Sequence, residues 1–413
     1  MSQPIRVLIV EDSPLASEIL TAILQSDPEI EVVGVARNGV EALEQVPLLK
    51  PDLITMDVWM PRMDGFATVE RLMAYHPTPI LVITSSLTRS DVDIGLTMLA
   101  AGALDVIEKP SRGDEATWAR STKALVQKVK TLARVRVVTH LKGRRPGTNP
   151  TLGTGSATPT SGAQPPLVTP RTSPAPGPPP ARPADRPLPP TRHTDPETLA
   201  QRMAARRRTG TEPLLALPPH PAPGSGHRYE LVAIASSTGG PQALLKVLRG
   251  LPPTFTTPIL IVQHIAAGFT QGLADWLGRE AARSVRLAVA GERPVANTVL
   301  LAPDQLHMSV GPDGRIALND GVPREIRPSA DVTMRSLAPA YRDRAIGVIL
   351  TGMGRDGADG LRTMRLAGAY TIAQDEASSI IFGMPRAAIA LGIIDEVLAL
   401  DAIPGRLAAL VGG

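Results

Sequence analysis

The chain has 413 residues, with 43 Lys and Arg against 39 Asp and Glu, and no cysteine. That length suits two or three domains, and the missing cysteines exclude disulfides, thiol catalysis and Cys-ligated zinc while fitting a reducing cytosol. The sequence begins with a strand rather than an apolar signal segment, and no apolar run approaches a membrane span, so a soluble, cytoplasmic protein is expected.

Ile5 to Val10 reads as an apolar strand ending in Glu11 and Asp12. Asp52 to Met56 ends in Asp57, Pro79 to Ile83 in Thr84, and Ala103 to Ile107 precedes Glu108, Lys109 and Pro110. Helical patterns such as Pro14 to Leu24 and Asn38 to Leu49 lie between, giving about five βα units and a five-stranded parallel sheet. The carboxyl ends of such strands share one edge. Three carboxylates gathered there repel one another unless a hard cation sits among them, and Mg²⁺ suits oxygen ligands. A phosphoryl group on the central carboxylate would meet the Thr84 hydroxyl and the Lys109 ammonium, the parts that phosphoryl transfer needs.

Residues 141–225 contain 21 of the 42 prolines and carry 11 basic against 4 acidic residues, whereas the remainder carries 32 basic against 35 acidic. The basic pI therefore comes from a segment that cannot pack a core and reads as a partly polyproline-II tether, not from a nucleic-acid-binding fold. Within it, Pro196 to Arg208 reads as a short helix ending in Arg206, Arg207 and Arg208, a solvated helix end or a docking site.

After the tether, Tyr229 to Ile234 is an apolar strand that breaks into Ala235-Ser236-Ser237-Thr238-Gly239-Gly240. A strand turning sharply into a helix presents a hydroxyl beside free backbone N–H groups, where a serine nucleophile and its oxyanion donors belong. The same turn could simply reverse the chain or cradle a phosphate. Pro258 to Gln263 then delivers His264, and Ala345 to Leu350 delivers Thr351-Gly352-Met353-Gly354-Arg355-Asp356-Gly357. A doubly wound, mostly parallel α/β domain would bring serine, imidazole and carboxylate to one edge, the triad logic in the order Ser, His, Asp and without a G-x-S-x-G elbow. The residues alone leave Ser236 or Ser237 as nucleophile, His307 and His227 as rival imidazoles, and Asp356 as a turn or cap residue.

Residues 1–135 resemble a response-regulator receiver, with Asp57-Val58-Trp59-Met60-Pro61-Arg62-Met63-Asp64-Gly65 as the signature. Residues 228–413 resemble the protein-glutamate methylesterase/protein-glutamine glutaminase (CheB) family of bacterial chemotaxis. The shared stretches are Ser237-Thr238-Gly239-Gly240, Gln263-His264 with Gly268-Phe269-Thr270, Thr351 to Gly357, and Phe382-Gly383-Met384-Pro385-Arg386. Residues 136–227 form the tether between them, longer than the family pattern needs. The resemblance implies Ser237 as nucleophile, His264 as base, Asp356 as its orienter, Met353 in the oxyanion loop and Thr238 as support for His264. In the receiver it implies Asp57 as phosphoacceptor, Glu11, Asp12 and Asp57 around Mg²⁺, and Thr84 and Lys109 as phosphoryl contacts. Ser85 stands beside Thr84 as a rival, and Trp59 is bulky for its position.

The implied activity is phosphorylation-activated hydrolysis of glutamyl methyl esters on chemoreceptors, with glutamine deamidation by the same route and no cofactor for the esterase chemistry. A chemotaxis histidine kinase would be the phosphodonor, nucleic acid would not be a partner, and membranes would be met only through receptors. The competing expectations are a non-catalytic adaptor that binds receptors and a DNA-binding output domain.

Overall fold

The computed structural model describes residues 3–84, 89–110, 114–135, 137, 217–220, 227–321 and 326–412. Ser85, Ser86, the expected helix over 196–208 and nearly all of the proline-rich segment lie outside the described residues.

The amino-terminal part alternates β1 (Ile5–Val10), α1 (Pro14–Gln25), β2 (Ile30–Ala36), α2 (Gly39–Leu49) and β3 (Leu53–Asp57). It continues with α3 (Gly65–Tyr75), β4 (Ile80–Thr84), α4 (Arg89–Ala100), β5 (Asp105–Glu108) and α5 (Glu115–Leu132). The five strands lie in the order β2-β1-β3-β4-β5, all parallel. Local chemistry sets the helix starts: Ser13 caps α1 with Pro14 in its first turn, and the Asn38 and Asp64 side chains accept from the first N–H groups of α2 and α3. Val7, Leu8, Ile9, Leu53, Ile54, Leu81 and Val82 are fully buried because helices cover both faces. Each such side chain contributes roughly 1.5–3 kcal/mol of burial, which sets the sheet as the rigid part of the domain.

The carboxyl-terminal part opens with β6 (Leu231–Ser236), α6 (Gly240–Gly250), β7 (Ile259–Gln263), α7 (Thr270–Ala281), β8 (Ser284–Leu287) and β9 (Thr298–Leu301). An antiparallel hairpin, β10 (His307–Val310) and β11 (Ile316–Asn319), stands apart from the main sheet. Then come α8 (Ala330–Tyr341), β12 (Ala345–Ile349), α9 (Ala358–Leu366), β13 (Tyr370–Gln374), α10 (Met384–Ala390), β14 (Glu396–Leu398) and α11 (Ile403–Val411). Seven parallel strands are ordered β14-β13-β12-β6-β7-β9-β8. The chain winds outward from β6 in both directions, so the gap between β6 and β12 is the topological switch point, where such sheets place their sites. β8, β9 and the hairpin went unread in the sequence. Each is four residues long, β8 is only half-buried, and the apolar run of β9 is just Val299-Leu300-Leu301 before Ala302, too short to stand out.

Both sheets belong to one compact unit. Receiver helix α4 lies on α7: Gly272 admits Val92, Gly95 admits the fully buried Phe269, and Asp93 pairs with Arg279 at 3.7 Å. Gln242 of α6 donates to the carbonyls of Leu99 (3.3 Å) and Ala103 (2.7 Å) at the end of α4. Leu217 to His220 also pack on the carboxyl-terminal part, at the amino-terminal edge of the sheet. The Pro218 carbonyl accepts from Arg365 at 2.8 Å, and the His220 ring lies 4.7 Å from that of Tyr370.

Candidate functional site

The β6–α6 turn is built by side-chain pinning. Ser236 is fully buried and donates its hydroxyl to Gln263 Oε1 at 2.6 Å. Gln263 Nε2 donates in turn to the carbonyls of Ser237 and His264, both at 2.8 Å. Ser237, the next residue, is half-buried. The two candidate serines thus divide: Ser236 is held in a buried hydrogen bond, and Ser237 retains access. Gly239 adopts φ 75°, where an L side chain is strained and a Cβ would also strike Ile380, and Gly240 lets the new helix pass directly over Gln263.

Strand register supplies the second member. Ser236 pairs with Gln263 across β6 and β7, and the His264 N–H donates to the Ser236 carbonyl at 3.0 Å. Ser237 and His264 therefore leave the sheet side by side. Asp356 arrives from the loop after β12, on the other side of β6, and its Oδ2 lies 2.9 Å from His264 Nε2. The carboxylate has further partners: Ser329 Oγ donates to Oδ1 at 2.8 Å, Ala330 N–H to Oδ2 at 2.6 Å and Asp331 N–H to Oδ1 at 3.1 Å. Burial opposes its charge, but the His264 hydrogen bond and charge, together with those donors, outweigh it and hold Asp356 down at about 2. It is an acceptor only, so the His264 Nε2 that it binds carries the hydrogen.

The third wall is the Thr351–Gly354 loop. The Thr351 hydroxyl donates to the Thr238 carbonyl at 3.0 Å, and the Ser237 N–H donates to the Thr351 carbonyl at 3.1 Å. Gly352 lies against Ser237, where a Cβ would come within 2.9 Å of the serine Cβ. Its N–H is taken by the Ile381 carbonyl, and its own carbonyl accepts from Gly383 and Met384, so Phe382 to Met384 brace the loop. Met353 is partly exposed beside them, with the Thr131 hydroxyl of receiver helix α5 at 3.8 Å from its sulfur. Thr238 joins through its main chain, whereas the His264 ring is bonded to Asp356 and the His264 backbone to Gln263 and Ser236. Of the rival imidazoles, His307 Nδ1 accepts from Ser329 N–H at 3.2 Å and so sits behind Asp356, while His227 Nε2 lies 3.0 Å from the Asp343 carbonyl, which follows α8. Ser329 and Asp331 were not read in the sequence as members of this site. Their only signal was a serine ahead of a helical pattern, which any N-cap gives.

At the carboxyl edge of the receiver sheet, carboxylate oxygens of Glu11, Asp12 and Asp57 lie within 4.8 Å of one another. Lys109 Nζ reaches both Glu11 (2.7 Å) and Asp57 (2.9 Å), and its N–H donates to the Thr84 carbonyl at 2.7 Å. Burial raises Glu11 and Asp57 above the usual carboxylate range despite Lys109. Two buried carboxylates that resist carrying charge, with the exposed Asp12 carboxylate beside them, are oxygen donors that suit a hard divalent cation, so the residues fit Mg²⁺. Thr84 is buried at the end of β4, and Trp59 is 53% exposed two residues after Asp57.

Fold and site define the class: a response-regulator receiver joined to a doubly wound α/β esterase domain. Residues 7–119 match the response regulator receiver domain family and residues 232–407 the CheB methylesterase family. A protein-glutamate methylesterase/protein-glutamine glutaminase of Anaeromyxobacter dehalogenans is 38% identical over 98% of this chain and 96% of its own length. Another from Syntrophus aciditrophicus is 38% identical over 99% of both. The crystal structure of the Thermotoga maritima CheB methylesterase catalytic domain is 36% identical, covering 44% of this chain and 99% of that one with a TM-score of 0.43. The chain belongs to the protein-glutamate methylesterase/protein-glutamine glutaminase family.

Proposed function

We propose that this protein is a phosphorylation-activated esterase that removes methyl groups from glutamyl side chains of chemoreceptors and deamidates glutamines there. The observation that carries this reading is the His264–Asp356 pair at 2.9 Å, beside a Ser237 turn pinned by Gln263. With Nε2–H committed to ionised Asp356, Nδ1 is the unprotonated nitrogen that takes the Ser237 proton. Ser237 Oγ then attacks the ester carbonyl, and N–H groups of the Met353 loop stabilise the oxyanion. The His264 proton passes to the departing methoxide, methanol leaves, and water activated by His264 hydrolyses the acyl-enzyme. A glutamine amide follows the same route with ammonia as the leaving group.

In the receiver, Asp57 accepts the phosphoryl group from a chemotaxis histidine kinase. Glu11, Asp12 and Asp57 would hold Mg²⁺, which when bound neutralises phosphoryl charge, while Lys109 and Thr84 contact the phosphoryl oxygens. The α4–α7 packing and the Thr131–Met353 contact support a receiver that restrains the esterase edge until phosphorylation loosens it. We assign residues 1–135 to the receiver, 136–227 to the tether and 228–413 to the catalytic domain.

The test is release of methanol from methylated receptor membranes, with and without acetyl phosphate and Mg²⁺. Release that depends on Ser237 supports the reading. Receptor binding without release would favour the adaptor.

A further inference from the structure

Asp356 and Asp331 exchange places as helix caps. Asp356 stands two residues before α9 yet accepts from the first N–H groups of α8, Ala330 and Asp331. Asp331, in the first turn of α8, accepts on Oδ1 from the Gly357 N–H (3.0 Å) and the Gly360 N–H (2.6 Å) at the start of α9. Each carboxylate thus satisfies the orphan N–H groups of the helix that carries the other. The two helix starts lie so close that a Cβ on Gly360 would come within 2.8 Å of the Asp331 Cα and carbonyl oxygen. Burial raises Asp331 above its ordinary range, with Asp356 adding to it, so two acids at this spacing are retained against an electrostatic cost. Arg335 touches Asp331 Oδ2 at 3.3 Å and leaves Oδ1 to the α9 backbone.

We infer that Asp331 is a positioning residue of the esterase: by gripping the Gly357 and Gly360 N–H groups it fixes the loop that aims Asp356 at His264. This rests on the Ser237–His264–Asp356 reading above. Asp331 touches neither imidazole nor serine among the contacts described, so its effect runs through Asp356. Displacing a triad carboxylate by about 1 Å is enough to cost ~10²-fold in rate.

The experiment uses the full-length protein with Mg²⁺ and acetyl phosphate, and reads methanol release together with the rate at which a fluorophosphonate labels Ser237. Asp331→Ala should lower kcat and the labelling rate about ten- to a hundredfold, with KM and probe affinity changed less than about threefold. Asp331→Asn keeps an oxygen acceptor for both N–H groups and should stay within about threefold of the parent. Because Asp331 works through Asp356, the Asp331→Ala/Asp356→Asn double variant should be no slower than Asp356→Asn alone. Parental kcat in Asp331→Ala, or losses that multiply in the double variant, would overturn the inference. So would a tenfold loss in Asp331→Asn, which remains informative if Asp331→Ala does not fold. If the parent protein labels at Ser237 but releases no methanol, the receptor-esterase reading fails while the labelling ratios still decide the role of Asp331.

Discussion

Ser236 donates its hydroxyl hydrogen to Gln263 Oε1 at 2.6 Å, which turns the side-chain amide so that its Nε2 ties down the carbonyls of Ser237 and His264. One buried amide therefore sets the relative positions of Ser237 and His264, the two residues proposed to exchange the proton. It also separates two adjacent serines: the Ser236 hydroxyl is spent on a buried acceptor, and Ser237 is left half-buried at the turn.

Ser237→Ala and His264→Ala should each cut methanol release by about 10³-fold or more, with receptor binding retained. Ser236→Ala removes the donor from a buried acceptor and should cost roughly 1–3 kcal/mol of stability while leaving clear activity. Methanol release paired with thermal unfolding separates these. An inactive Ser236→Ala protein beside an active Ser237→Ala protein would reverse the assignment.

Asp356→Asn should cost less than loss of the base, because an imidazole remains but its tautomer is no longer fixed. Asp356 titrates at about 2 in the folded chain against an ordinary 3.8. Its depressed value means that its contribution, about 2 kcal/mol, is fully present above pH 4 and is lost as pH falls from 4 toward 2. The stability gap between the parent and Asp356→Asn, followed by denaturant unfolding, should therefore close over that interval. A gap that persists at pH 2 would contradict the assignment.

Asp57→Asn should leave basal esterase activity intact and abolish stimulation by acetyl phosphate. Chelating Mg²⁺ should do the same to the parent protein, since the Lys109 ammonium alone then offsets the charge of the three carboxylates and the incoming phosphoryl group. Stimulation that survives in EDTA would rule out the metal role.

A side chain at Gly272 would collide with Val92 of α4. Gly272→Ala should thus loosen the receiver and raise unphosphorylated activity several-fold, toward that of a chain lacking residues 1–140. If the truncated enzyme is no faster than the unphosphorylated parent, restraint by the receiver is not steric.

Read from composition alone, the tether assigned to residues 136–227 would have an r.m.s. reach of roughly 50 Å, which would give an effective concentration of about millimolar or below. Deleting 146–195 should therefore tighten basal inhibition without altering the catalytic constants of the truncated, receiver-free enzyme. Unchanged inhibition would mean that the α4–α7 contact alone sets the resting state.

The amino-acid sequence by itself determined the parallel sheets, because unbroken apolar runs such as Val7–Val10 and Ile259–Val262 are buried on both faces by helical layers. It also placed Asp57, Ser237 and His264 at strand ends and Asp356 in the loop that follows one, since polar residues closing such a run lie at the sheet edge. Residue chemistry alone could not choose between Ser236 and Ser237, and only the resemblance carried by Ser237-Thr238-Gly239-Gly240 pointed to Ser237. That choice depends on which hydroxyl finds a buried acceptor 27 positions along the chain, and Gln263 becomes that acceptor only through β6–β7 register. Nor could it reveal the Asp331–Asp356 exchange, because hydrogen bonds between helix starts 26 residues apart follow from how α8 and α9 pack, and a lone Ser-Ala-Asp reads as an ordinary helix cap.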